Sequence, residues 1–164
     1  MDSVLLTKVF TLFADQIHLT LCLVLLFLSR KEKLLISIIF FLTAQSMFDT
    51  IAHFALKTYF IDYAKQLWFV TFIASQTFFI VAVYLKQRYF GVKLKIDQIV
   101  IMIGGLMLLM QLVGLVTVNV IDYKGSEIKI VHGITVQSLA ALQLIYLAMA
   151  VSESRRDINL LGNR

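Results

Sequence analysis

The sequence predicts an all-α integral membrane protein, one bundle of five transmembrane helices with the N-terminus outside and the C-terminus cytoplasmic. Three observations predict it. Five apolar runs occupy about 4–28, 34–56, 64–85, 96–121 and 130–151. Each has about 20 or more residues, enough to cross a hydrocarbon core of about 30 Å at 1.5 Å per residue. The chain has no proline, where average usage near 5% predicts about eight, so the helices should be straight and continuous. Ten of the 15 Lys and Arg residues fall on one side of the proposed membrane, and this excess marks the cytoplasmic face.

The first run, Val4–Leu28, is too long for the apolar core of a signal peptide. It lacks a basic leader, and Ser29-Arg30-Lys31 stands where a small-residue cleavage site would be, so it should remain as a helix. Ser29–Lys33 then makes a tight inside turn to the second run, Leu34–Leu56. Thr58–Tyr63 reads as an outside loop, where Tyr59, Phe60, Tyr63 and Trp68 suit an interfacial aromatic belt. The third run, Ala64–Leu85, carries Thr71, Ser75 and Ala82 near one face. Lys86–Lys95 reads as a basic inside loop before the fourth run, Ile96–Ile121. Asp122–Lys129 is the second outside loop, and the fifth run, Ile130–Val151, ends in a basic tail. Loops this short make sequential helices antiparallel neighbours. With 60% hydrophobic residues consumed by the spans, 1–164 reads as a single transmembrane domain.

The net charge of +5 follows the membrane sidedness and does not call for nucleic acid. The single cysteine, Cys22, is mid-span and forms no CxxC motif. Nucleophile elbows, glycine-rich phosphate loops and HExxH are all missing from the sequence. No catalytic residue, metal site or cofactor is assigned.

Two spans carry polar stripes. Lys8, Thr11, Asp15, His18 and Cys22 follow one another at spacings of three and four, so they share a face of the first helix. Gln45, Asp49 and His53 at i, i+4 and i+8 share a face of the second. An ionisable group inside an apolar span is expensive and calls for a reason. Helical rise puts Asp15 and Gln45 roughly 16 Å deep, Thr11 and Asp49 roughly 10 Å, Lys8 roughly 6 Å and His53 roughly 5 Å. The stripes therefore match in depth, and a polar pocket between helices one and two is expected. In the fifth run Gly133, Gln137, Ala141 and Ala148 are spaced by four, four and seven, a small-residue face suited to close helix packing. Gln111, Asn119, Gln137 and Gln143 read as interhelical hydrogen-bonding groups.

These patterns order the functional readings. First comes a non-enzymatic inner-membrane subunit, an assembly or sensing element that works as a homo-oligomer or with a larger membrane partner in the lipid bilayer. Second is a small ion or proton channel, or a proton-coupled transporter, using Asp15 and Asp49, because burial tunes the proton affinity of Asp and His. A membrane-embedded metal- or haem-binding enzyme is third, with Asp15, His18, Asp49 and His53 as metal ligands or His53 and His132 around a haem. The expected location is a bacterial-type inner membrane.

Overall fold

A computed structural model describes the backbone at 3–59, 64–119 and 126–162, and side chains at 14, 16–56, 58–59, 67–117 and 131–154. The described residues form five α-helices: α1 Ser3–Leu28, α2 Lys33–Tyr59, α3 Ala64–Phe90, α4 Lys95–Asn119 and α5 Ser126–Gly162. Four of them contain stretches long and apolar enough to cross a membrane: Lys33–Leu56, Leu67–Phe90, Lys95–Thr117 and Val131–Ser154. The described apolar stretch of α1 is the shorter Gln16–Leu28. The chain is thus an all-helical protein with several apolar helices of membrane-crossing length. Hydroxyls inside these helices are satisfied locally. Thr20, Ser37, Thr43, Thr50, Thr77, Thr117 and Thr135 each donate to the carbonyl four residues earlier.

Each helix packs against the next in sequence, and α5 returns against α1 to close the ring. Helices α2 and α5 also meet across the middle. The bundle interior is layered along its axis. Towards the end where α1 turns into α2, Cys22, Leu25, Leu35, Ile38, Ile39, Leu42, Phe79, Val83, Val100, Leu144, Leu147 and Val151 form one apolar core. From Leu35 to Leu42 this plug is roughly 10 Å thick by helical rise. The interior beyond Leu42 is polar, as described below.

Two turns at the plugged end are well determined by their residues. Glu32 N–H donates to the Ser29 carbonyl at 2.8 Å, and Ile36 N–H donates to the Glu32 carbonyl at 2.8 Å, so α1 passes into α2 with its end groups satisfied. Arg30 covers the Phe27 ring, 4.9 Å from its centroid. The α3–α4 connection departs from the sequence expectation. The region 86–95 is not all loop: α3 runs on to Phe90 and stops at Gly91, whose φ of 64° is the left-handed conformation that ends helices.

This extension buries Lys86. Its Nζ lies 2.7 Å from Asp97 Oδ1, and the two side chains are 1% and 0% exposed. Asp97 sits in the first turn of α4, and its Oδ2 accepts the Leu94 N–H at 3.0 Å. That is half of a capping box, with a carboxylate placed at the positive end of the helix dipole. Both carboxylate oxygens are therefore used. A charge so buried is tolerated only when it is paired and hydrogen-bonded.

Lys86→Met or Asp97→Asn alone strands a buried charge and should lower stability by about 3–5 kcal/mol. The double variant Lys86→Met/Asp97→Asn keeps the helix cap and should return to within about 1 kcal/mol of the parent. Thermal unfolding of the three variants in one detergent checks this. Single variants as stable as the parent would show that the pair is not buried.

Candidate functional site

The polar layer is built from all five helices. His18 from α1, Gln45, Ser46, Asp49 and Thr50 from α2, Gln76 from α3, Gln111 from α4, and Gln137 and Gln143 from α5 surround a cavity of about 70 Å³. Leu42, Phe72, Met107, Val136 and Ala140 complete its wall. This volume suits a few waters or a compact polar group.

Helix α3 organises the cavity, and α2 bonds chiefly to it. Gln45 Nε2 donates to Gln76 Oε1 at 2.6 Å, and Ser75 Oγ donates to Asp49 Oδ1 at 2.6 Å. Gln45 and Asp49 lie one turn apart on α2, and their partners Gln76 and Ser75 are consecutive on α3, so the two bonds together constrain the α2–α3 register. Gly104 on α4 leaves room for this seam. A Cβ there would stand 2.8 Å from Gln76 Nε2. Helix α1 joins through His18, whose Nδ1 lies 3.1 Å from Ser46 Oγ and 3.8 Å from Cys22 Sγ.

Hydrogen bonding within the protein does not exhaust the cavity's polar atoms. Gln45 Oε1, Gln76 Nε2, Gln111 Oε1 and Gln143 Nε2 are buried and have no partner among the described residues. Exposure of these glutamines is 7%, 3%, 4% and 1%. A half-turn of a side-chain amide exchanges its donor and its acceptor. The Gln45–Gln76 pair is insensitive to this exchange, because flipping both amides again leaves one donor and one acceptor. The cavity thus offers both kinds of hydrogen-bonding group.

The sequence-assigned residues distribute as follows. Lys8, Thr11 and Asp15 are on α1, and their side chains lie outside the described residues. His18, Gln45 and Asp49 meet at the cavity. His53, further along α2, packs edge-on against Trp68 with centroids 4.3 Å apart, and Trp68 stacks on Phe72 at 5.0 Å. His132 has its own aromatic neighbour, Phe69, at 5.5 Å. Among the described residues, no three His, Cys, Asp or Glu side chains gather in a metal-binding group. Gln137, Ala141 and Ala148 line an apolar groove between α1 and α5, about 700 Å³ in volume, whereas a Cβ at Gly133 would meet nothing within 4 Å.

Sequence reasoning passed over Ser46, Thr50 and Gln76. A usable signal existed for Gln76. It lies 12 residues into α3, while Gln45 lies 14 residues before the end of α2, so antiparallel neighbours bring them to nearly one depth.

No protein-family model matches the chain, and neither a curated protein nor a solved structure does.

Two substitutions at the cavity should act in opposite ways. Ser75→Ala removes the donor to Asp49 and should cost about 1–3 kcal/mol. Gln143→Met replaces a partly unmatched amide by an apolar side chain of similar length and should stay within about 1 kcal/mol of the parent. Thermal melts of both variants test this, and a larger loss for Gln143→Met would contradict the assignment.

Proposed function

We propose that this chain is a small non-enzymatic membrane subunit whose five-helix cavity receives a polar group and reports its presence through the bundle, a sensing element of an oligomer or larger membrane complex. One observation carries the reading. A single polar cavity draws side chains from every helix, so its occupant touches all five elements at once. A ligand held there would bias the packing of the whole bundle, which is what coupling to a partner requires. Five spans, an outside N-terminus and a cytoplasmic C-terminus in a bacterial-type inner membrane complete the proposal, supported by the Lys and Arg asymmetry.

The second reading, a proton-coupled transporter or channel, draws on Asp49 and His18 lining one cavity. Against it stands the apolar core around Leu35–Leu42, where an ion would meet mainly hydrocarbon side chains.

In liposomes with an imposed pH gradient, the purified chain should not dissipate the gradient faster than empty vesicles. In mild detergent it should run as a defined species larger than a monomer. Gradient collapse abolished by Asp49→Asn would favour the transport reading, and a strict monomer across detergents and nanodiscs would remove the assembly part. For topology, in a Cys22→Ala background, Ser126→Cys should react with an impermeant thiol reagent from outside and Asn163→Cys only after permeabilisation. Equal outside labelling of both would overturn the orientation.

A further inference from the structure

We infer that the cavity takes the head of an uncharged amphiphile, a molecule with a compact hydroxyl or amide head and a linear apolar tail, and that the tail lies in the groove between α1 and α5. This rests on the cavity being a receiving site, as proposed above, and adds the chemical class of what it receives.

Continuity of the two spaces is the first support. His18, Gln137 and Ala140 line both the polar cavity and the apolar groove. His18 and Gln137 are half-buried, as side chains at a mouth between two spaces would be. The groove extends from this mouth along parallel helices to Leu25 on α1 and Ala148 on α5. From Ala140 to Ala148 it is roughly 12 Å long by helical rise. Its walls there are Leu21, Val24, Leu144 and Ile145, with no polar side chain among them.

The second support is the chemistry of the cavity. Four glutamines, each more than nine-tenths buried, have one polar atom apiece without a partner among the described residues. A buried polar atom without a partner is costly, and an occupant that bonds to these four atoms would offset that cost. Their leftover atoms include donors and acceptors, which a hydroxyl or an amide satisfies and a hydrocarbon does not. The site lies near the middle of the spans, where a charged head would be expensive. The cavity of about 70 Å³ is less than half the 150 Å³ that admits a benzene ring in an engineered protein cavity, so the head has few heavy atoms.

The test uses the full chain in phosphatidylcholine nanodiscs and a hexadecanol carrying a photoreactive diazirine in its tail, with adducts mapped by mass spectrometry. Adducts should concentrate on the groove walls, at Leu21, Val24, Leu144 or Ile145. Excess hexadecanol should suppress them, whereas hexadecane and hexadecyltrimethylammonium should not. Gln143→Met should reduce labelling about fivefold, the scale of one lost hydrogen bond. Gln87→Met, at a buried glutamine outside the cavity, should leave it unchanged, and melts of both variants separate weak binding from misfolding. Suppression by hexadecane equal to that by hexadecanol would overturn the inference, since the groove would then be ordinary lipid-facing surface. Labelling indifferent to Gln143→Met would overturn it too, because the head would not be in the cavity. Stabilisation by acetamide that depends on Gln143, without alcohol-specific groove labelling, would overturn the amphiphile while leaving the receiving cavity standing. Failure of acetamide and alcohol alike to register at Gln143 would remove both.

Discussion

Polar side chains placed in the middle of an apolar bundle have few sources of hydrogen bonds except one another. That constraint explains most of what distinguishes this structure. Helices in a membrane are not driven together by the hydrophobic effect, because lipid tails are as apolar as leucine; close packing and interhelical hydrogen bonds hold them. The Gln45–Gln76 and Asp49–Ser75 bonds fix α2 against α3, and His18–Ser46 brings in α1. Individually such bonds are modest, averaging about 0.6 kcal/mol where measured in a membrane protein. Their value is directional, since a one-residue slip of α2 along α3 would turn both acceptor and donor away.

The same constraint is handled differently at the α3–α4 turn and in the cavity. At the α3–α4 turn, Lys86 and Asp97 meet one requirement completely: the cation faces one carboxylate oxygen and the α4 cap uses the other. In the cavity the requirement is met only in part, and four glutamine atoms have no partner among the described residues. Complete satisfaction suits a structural clamp, and incomplete satisfaction suits a receiving site. Between them lies the apolar core around Leu35–Leu42. The groove beside His18 and Gln137 is the natural side door.

Helix existence was legible because it rests on long apolar runs, and each of the five runs lies largely within a helix. The helix ends were not, and Lys86 shows why. Hydropathy treats lysine as a terminator, yet a lysine with a carboxylate eleven residues later on an adjoining helix can be buried. The polar stripe of α2 was legible as a face, but its bonds to α3 were not. Depth matching sets Gln45 and Asp49 against α1, whose Lys8, Thr11 and Asp15 side chains lie outside the described residues, while two described bonds run to Gln76 and Ser75 of α3. Neutral amides and hydroxyls hardly disturb an apolar run, so periodic searches for charge miss them. The groove could not be read at all: small residues such as Ala141 and Ala148 accompany gaps as readily as tight contacts, and only the placement of α1 decides between the two.

The central claim, that side chains from all five helices share one polar cavity with unmet hydrogen-bonding capacity, can be measured directly. Protein labelled with ¹⁵N at glutamine side chains, in nanodiscs, reports magnetisation transfer from water to each amide. The expected result is transfer to the amides of Gln76 and Gln143, deep in the bundle, that is lost when hexadecanol is added. Amides at both positions that exchange nothing with water and do not respond to hexadecanol would contradict it, since the glutamines would then be closed packing groups facing no cavity.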